Sequence, residues 1–141
     1  MRKTLDITID ADGGRDAGKT FRITEMAASK AEKWAMRALL ALAHSGAELP
    51  AGAAQGGMRV LALFGVQALM NLAFEDAEPL LDEMMGCVQI VEPKLVRALM
   101  EDDIEEVQTR MLLRRQIIEL HVGFSLADAL SKPKAGKKSS A

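Results

Sequence analysis

The chain has 141 residues, and its 18 Lys or Arg and 20 Asp or Glu leave a net charge of only −2 at pH 7. This length is typical of one domain that forms its core without a metal or disulfide. A single Cys and two His exclude an internal disulfide and an ordinary His/Cys zinc site. The balanced charge and the scarcity of aromatic residues also argue against nucleic-acid binding.

The N-terminal segment predicts a β-hairpin. Thr4–Asp10 alternates apolar and polar residues, as a half-buried strand does. The next segment, 11–18, is a turn that contains three Gly, and Lys19–Thr24 alternates again. A hairpin of two strands is marginal in isolation, so we expect its apolar face to pack on the rest of the chain.

Three helices are predicted after the hairpin. The first runs from Ser29 to about His44, with Ser29 and Glu32 in capping-box spacing. It buries Trp34 on one face and carries a basic stripe on the other, formed by Lys30, Lys33, Arg37 and His44. The apolar segment Met58–Phe74 is too short and too polar to span a membrane, which predicts a core helix. A shorter helix follows from Asp76 to Met85 and ends at Gly86.

The remaining elements are a short strand and a long helix. Cys87–Val91 has strand character, and Pro93 is expected to separate it from the next segment. The last helix is predicted from Asp102 or Asp103 to Val122, with acidic residues in its first turn. It carries two apolar stripes on opposite sides. The first is Ile104, Val107, Met111, Ile118 and Val122, and the second is Leu113, Ile117, Leu120 and Phe124.

Two apolar stripes leave two interpretations of the last helix. Either the helix is sandwiched inside the domain, or one stripe is a surface for a partner. The chain as a whole predicts an α+β fold, with an N-terminal hairpin (residues 1–26) packed on a mainly helical part of about four helices (27–124). Residues 125–141 are rich in Lys and predict a flexible basic tail.

The hairpin turn contains a look-alike of a nucleotide-binding motif. Residues 13–20, GGRDAGKT, match the pattern G-x-x-x-x-G-K-T of a P-loop. A P-loop requires a helix that begins at the Lys-Thr pair and points its N-terminus at the phosphate. Here the next residues alternate as a strand, so we expect no nucleotide site, although a small P-loop-like nucleotide-binding protein is kept as an alternative.

No catalytic or metal-binding set emerges from the sequence. His44 and His121 lie near helix ends in different segments, and Cys87 stands in an apolar context typical of a small buried residue. We therefore predict a protein that is not an enzyme and that requires no cofactor and no metal. Between Glu75 and Glu106, eleven acidic residues stand against Lys94 and Arg97. These acidic residues either pair with basic residues within the fold or form a surface on which another protein docks.

Two patches of the sequence resemble the tail assembly chaperones of long, non-contractile-tailed bacteriophages. The first is the run R-D-x-G-K-x-F-x-I-T-E-M at Arg15–Met26, followed by A-E-x-W-A-x-R-x-L-L at Ala31–Leu40. The second combines Glu101–Val107 with Leu120–Phe124. The resemblance also explains the P-loop look-alike as a hairpin.

The resemblance implies a small, non-enzymatic protein that binds the tape measure protein, keeps it soluble and brings tail tube subunits to it. It further implies action in the host bacterial cytoplasm, no binding to nucleic acid or membrane, and absence from the finished virion. Many members are extended by a programmed ribosomal frameshift, and Gly136-Lys137-Lys138 is compatible with a slippery codon run. A longer form of the chain is then a further partner. A virion structural component of the tail is the alternative.

Three regions are the predicted partner contacts. They are the turn residues Arg15 and Asp16, the basic residues Lys30, Lys33 and Arg37, and the second apolar stripe, Leu113, Ile117, Leu120 and Phe124. A protein that holds long amphipathic helices needs apolar surface that its own core does not use. Trp34 is instead predicted to be a core residue.

Overall fold

A computed structural model describes residues 1–46 and 71–122, together with residues 48, 52, 59 and 69. The elements in chain order are β1 (Thr4–Thr8), a 3-10 turn (Ala11–Asp16), β2 (Thr20–Thr24), α1 (Ala28–His44), α2 (Phe74–Met85), β3 (Val88–Glu92), β4 (Leu95–Ala98), a second 3-10 turn (Glu101–Asp103) and α3 (Val107–Val122). The architecture is α+β, as the sequence predicts.

The predicted hairpin is present as β1 and β2. The two strands pair antiparallel with Ile7 opposite Phe21, so the apolar residues of both strands share one face. On the other face, Arg22 forms a salt bridge of 2.8 Å with Asp6. The alternation of apolar and polar residues therefore predicts correctly which residues lie on each face of the hairpin.

A second hairpin extends the sheet and was not predicted. β3 pairs antiparallel with β2, with Ile90 opposite Phe21, and β4 pairs with β3 to give the order β1-β2-β3-β4. The predicted strand is present as β3, and Pro93 separates it from the next segment as expected, because Pro93 and Lys94 form the turn between β3 and β4. At a turn position, the fixed φ of Pro is compatible with the backbone, and its missing N–H removes no hydrogen bond between the strands. The part of the chain after residue 26 is therefore not purely helical.

The core lies between one face of the sheet and the helices. Phe21 and Ile23 of β2 are fully buried, and so is Trp34 of α1, which confirms the core assignment of Trp34. Its indole Nε1–H donates a hydrogen bond of 3.0 Å to the carbonyl oxygen of Leu80 in α2. This bond satisfies the one polar atom of a large buried side chain and ties α1 to α2.

The helix starts differ from those predicted. Ala27 occupies the N-cap of α1 without a side-chain hydrogen bond, so the predicted capping box of Ser29 and Glu32 does not form. The helix predicted to begin at Asp76 begins at Phe74. α3 begins at Val107, with no acidic residue in its first turn, instead of at Asp102 or Asp103. The acidic residues before Val107 contact the hairpin and β4 instead.

Other predictions fall wholly or largely outside the described residues. These are most of the Met58–Phe74 helix, Phe124 and the basic tail from residue 125. No helix in the described part of the chain is long and apolar enough to cross a membrane.

Candidate functional site

The Gly-rich turn and the segment before α3 meet in a network of charged groups, which we call the clasp. Its members are Arg15, Asp16, Lys19, Asp103, Glu105 and Glu106. They come from segments more than eighty residues apart in sequence. The clasp therefore fixes the β1–β2 hairpin to the start of the last helix.

Asp16 is the centre of the clasp and is completely buried. Its Oδ1 accepts a hydrogen bond of 2.9 Å from the backbone N–H of Glu105, and its Oδ2 accepts one of 2.9 Å from the N–H of Glu106. These N–H groups directly precede α3, where the backbone offers donors to an anion. A carboxylate from the hairpin turn thus fixes the two residues before α3, whereas a local capping residue would bind N–H groups of the first helical turn.

Lys19 completes the environment of Asp16. Its ammonium group lies 2.9 Å from Asp16 Oδ1, 3.1 Å from Glu105 Oε2 and 3.0 Å from the carbonyl oxygen of Asp103. Burial alone would raise the pKa of the Asp16 carboxyl. The hydrogen bonds from the Glu105 N–H, Lys19 and the Glu106 N–H outweigh that effect and hold its pKa well below the usual range.

Arg15 joins the same segment from the surface side. Its Nε donates to Glu106 Oε2 at 3.1 Å, and its backbone N–H donates to the same oxygen at 2.9 Å. One of its terminal nitrogens, Nη2, donates to the carbonyl oxygen of Glu105 at 2.7 Å. These bonds to Arg15 lower the pKa of Glu106.

Arg97 of β4 holds the acidic segment from the opposite direction. Its two terminal nitrogens lie 2.8 and 2.9 Å from the two carboxylate oxygens of Asp103. Nη2 also contacts Glu92 at 3.0 Å. The bidentate pair lowers the pKa of Asp103 and raises that of Arg97. Arg side chains therefore hold the segment between β4 and α3 at two points, Asp103 and Glu106.

The fold requires glycine at two positions of the P-loop look-alike. Gly14 adopts a φ of +63°, and a Cβ at this position would meet the Glu106 carboxylate. A Cβ on Gly13 would overlap the side chain of Ile9. The residue after Lys19 begins a strand, not a helix, and the Lys19 ammonium already has three oxygen partners. The turn has therefore neither the helix N-terminus nor the free Lys that phosphate binding requires.

The predicted basic stripe is only partly available to a partner. The Arg37 guanidinium forms a bidentate salt bridge with Glu83 of α2, with nitrogen–oxygen distances of 2.6 and 2.9 Å. Lys30 and Lys33 are exposed on the same helix. Part of the acidic excess between Glu75 and Glu106 is therefore neutralised within the fold, which was one of the two interpretations of that charge.

The described part of the second apolar stripe is mainly core and not a surface. Leu113 and Ile117 are almost completely buried, and Leu120 is half-buried and packs against the core. This placement corrects the assignment of these residues to a partner surface, because their side chains fill the space between α3 and the rest of the core. The first stripe differs along its length: Val107 and Met111 are exposed, whereas Ile118 is buried.

The two histidines and Cys87 have structural environments. His121 Nε2 accepts a hydrogen bond of 2.8 Å from the backbone N–H of Met26, and its Nδ1 lies 2.8 Å from the carbonyl oxygen of Ile117. His44 is exposed in the last turn of α1. Burial raises the pKa of the Cys87 thiol, which disfavours the reactive thiolate.

A cavity of about 250 Å³ lies beside the clasp, between the first 3-10 turn and α3, and its lining includes Ile9, Gly13, Thr109 and Leu112. Ligand pockets usually begin at roughly 300 Å³. Among the described residues, no three His, Cys, Asp or Glu side chains form a group that could hold a metal ion. The clasp holds two chain segments together, and its charged groups are engaged with one another.

Sequence reasoning singled out Arg15 and Asp16 but missed their partners. The sequence identifies Lys19 as part of the P-loop look-alike and of the resemblance, and the acidic residues before α3 as helix-dipole partners within a broader acidic excess, but it does not pair them with each other. The one signal for the pairing was the uneven charge distribution along the chain. The chain matches no family model, no curated protein and no solved structure.

Proposed function

We propose that this protein is a phage tail assembly chaperone, which binds the tape measure protein, keeps it soluble and helps to recruit tail tube subunits. The observation that carries the proposal is that the two patches of the resemblance meet in space. Arg15, Asp16 and Lys19 of the first patch bind the backbone and side chains of Glu105 and Glu106 in the second.

This contact shows what the residues of the two patches do in this chain: they hold the hairpin turn against the segment before α3. In this chain the residues of the motif hold two segments of the fold together, and function depends on sites that such a fold positions. The residues of the motif are already engaged in contacts within the chain. We therefore expect partners to bind other surfaces. Arg15 and Asp16 then act as positioning residues and not as contacts.

Exposed apolar side chains also support a chaperone role. Leu40 of α1, Phe74 of α2 and Val107 of α3 are each more than half exposed. Large apolar side chains on helix surfaces are the means by which proteins bind amphipathic helices. The tape measure protein of the resembling family is such a partner, since it is long and largely helical.

Co-expression with the tape measure protein tests the proposal. The tape measure protein of the same phage or prophage is produced alone and together with the tagged chain, and its soluble fraction is measured. We expect solubility only on co-expression, with tail tube subunits recovered in the same pull-down. A tape measure protein that stays insoluble in both cases would overturn the proposal. Finding the chain in purified particles would instead support the virion structural component.

The proposed longer form has a separate test. The gene is read around the codons for Gly136-Lys137-Lys138, and phage-producing cells are examined for an extended product with an antibody to the N-terminal part. A slippery heptamer with a larger second band supports the frameshift. A gene without such a heptamer removes the longer form as a partner but leaves the binding proposal in place.

A further inference from the structure

A buried arginine on α3 has no carboxylate partner among the described residues. Arg114 is 9% exposed, and its Nε is buried without a hydrogen-bond partner. Most buried cations in proteins are paired, because an unpaired one loses its hydration without compensation. A guanidinium also stays protonated when buried, so Arg114 cannot relieve this cost by losing its proton.

The surroundings of Arg114 add positive charge. Burial lowers the pKa of Arg114, the nearby Arg110 lowers it further, and Asp82 of α2 opposes these effects from a distance. Within the described part of the chain, Asp82 forms no salt bridge with either arginine. The two guanidinium groups therefore repel each other and leave a site that favours an additional carboxylate.

Exposed apolar residues continue the same face of α3. Residues three, four and seven positions apart share one side of a helix, so Val107, Arg110, Met111 and Arg114 form one face. We call it the Arg114 face. Val107 is 72% exposed and Met111 is 48% exposed, whereas Ile118, one turn beyond Arg114, is buried. The N-terminal half of this face is uncovered in the described part of the chain.

We infer that the Arg114 face binds an amphipathic helix of a partner polypeptide that places a Glu or Asp against Arg114 and Arg110. The apolar side of that helix would pack on Val107 and Met111, and its carboxylate would bind the guanidinium groups through charge-assisted hydrogen bonds. Charge complementarity selects this occupant. Outside the described residues the chain offers one acidic side chain, Asp128, whereas its C-terminal segment is rich in Lys.

The chemistry of this surface is the same whichever protein supplies the helix, so it can be tested apart from the proposed function. Two synthetic amphipathic helical peptides of identical Leu pattern are used, one with Glu and one with Gln at the flanking positions. Affinities for the full chain are measured by calorimetry at low and high salt. We expect the Glu peptide to bind about tenfold more tightly than the Gln peptide at low salt, since the coupling is between charges.

Arg114→Met keeps the long side chain and removes the charge, so it should abolish the preference for the Glu peptide. Lys94→Gln, which removes one charge from the β3–β4 turn, is the matched control and should keep the preference. The melting temperature distinguishes binding from folding. Because replacement of an unpaired buried cation by an apolar residue is neutral or stabilising, Arg114→Met should melt at the same temperature or higher.

Three results would overturn the inference. They are equal affinity of the wild-type chain for the two peptides, a preference that survives in Arg114→Met, and a preference that appears only in Asp128→Asn. The last result would mean that the chain's own carboxylate occupies the site. If Arg114→Met fails to fold, Arg110→Gln replaces it, because Arg110 is partly exposed. A preference retained in that variant would count equally against the inference.

Discussion

Replacing Asp16 by Asn is the most direct test of the clasp. The substitution keeps the size of the side chain but removes its charge and turns one of two acceptor oxygens into a donor. In the wild-type chain these oxygens accept from the N–H groups of Glu105 and Glu106 and contact Lys19. An Asn side chain in the same place has only one oxygen that can accept hydrogen bonds from these three donors. Its NH₂ group would point at N–H donors and could form no hydrogen bond with them.

The expected loss depends on the number and burial of these bonds. Hydrogen bonds to a charged group contribute about 1.5–3 kcal/mol each. Removal of one partner from a buried charge pair costs about 3–5 kcal/mol. Lys19 retains Glu105 and the Asp103 carbonyl as partners, so the loss stays below the simple sum. We expect Asp16→Asn to lower the free energy of unfolding by about 3–5 kcal/mol, a large fraction of a typical domain's stability.

Urea unfolding measures this loss, with the fluorescence of Trp34 as the signal, because Trp34 is the only Trp and is fully buried. Asp12→Asn is the matched control. Asp12 lies in the same 3-10 turn but is exposed, so a change within about 0.5 kcal/mol is expected. A loss below about 1 kcal/mol in Asp16→Asn, or an equal loss in both variants, would refute the idea that the clasp holds the hairpin to α3.

The remaining predictions concern stability. Trp34→Ala should lower the free energy of unfolding by about 3–5 kcal/mol, measured by far-UV circular dichroism, and a loss below about 1 kcal/mol would contradict its core role. Gly14→Ala should cost more than Gly18→Ala in urea unfolding: both glycines have positive φ, but only a Cβ on Gly14 meets Glu106. The folded-state pKa of Asp16 is lowered, so its stabilisation is present above the unfolded pKa of about 3.9 and is lost as pH falls through the folded value. The acid-induced loss of stability should therefore be shallower in Asp16→Asn, and parallel pH profiles of the two proteins would contradict the assignment.

The first hairpin and the face of α1 that is buried could be predicted because local patterns decide them. Alternation of period two determines which side of β1 and β2 is apolar, whatever else the chain does. The apolar arc of α1 likewise identifies Trp34 as buried. The positive φ needed in the Gly-rich turn is a local property too, since few other residues adopt it without strain.

The start of α3 and the roles of its residues depended on the tertiary structure. Local rules placed the acidic residues in the first helical turn, where they would suit the dipole. In the structure, Lys19 and Arg15 bind Glu105 and Glu106 outside the helix, and Asp16 accepts from the backbone N–H groups of the same two residues. Because Asp16 lies so far away in sequence, this contact leaves no signature near the helix itself.

The burial of the apolar residues of α3 could not be predicted from the sequence either. Leu113 and Val107 are both apolar residues on an amphipathic pattern, yet the first is buried and the second is 72% exposed. The sequence alone determined that α3 has two apolar stripes, because helical periodicity is a property of the chain. Which residues of the two stripes pack on the core, and which cation is left without a carboxylate, was decided only when α2 and the first 3-10 turn packed on one part of the helix and not on the other.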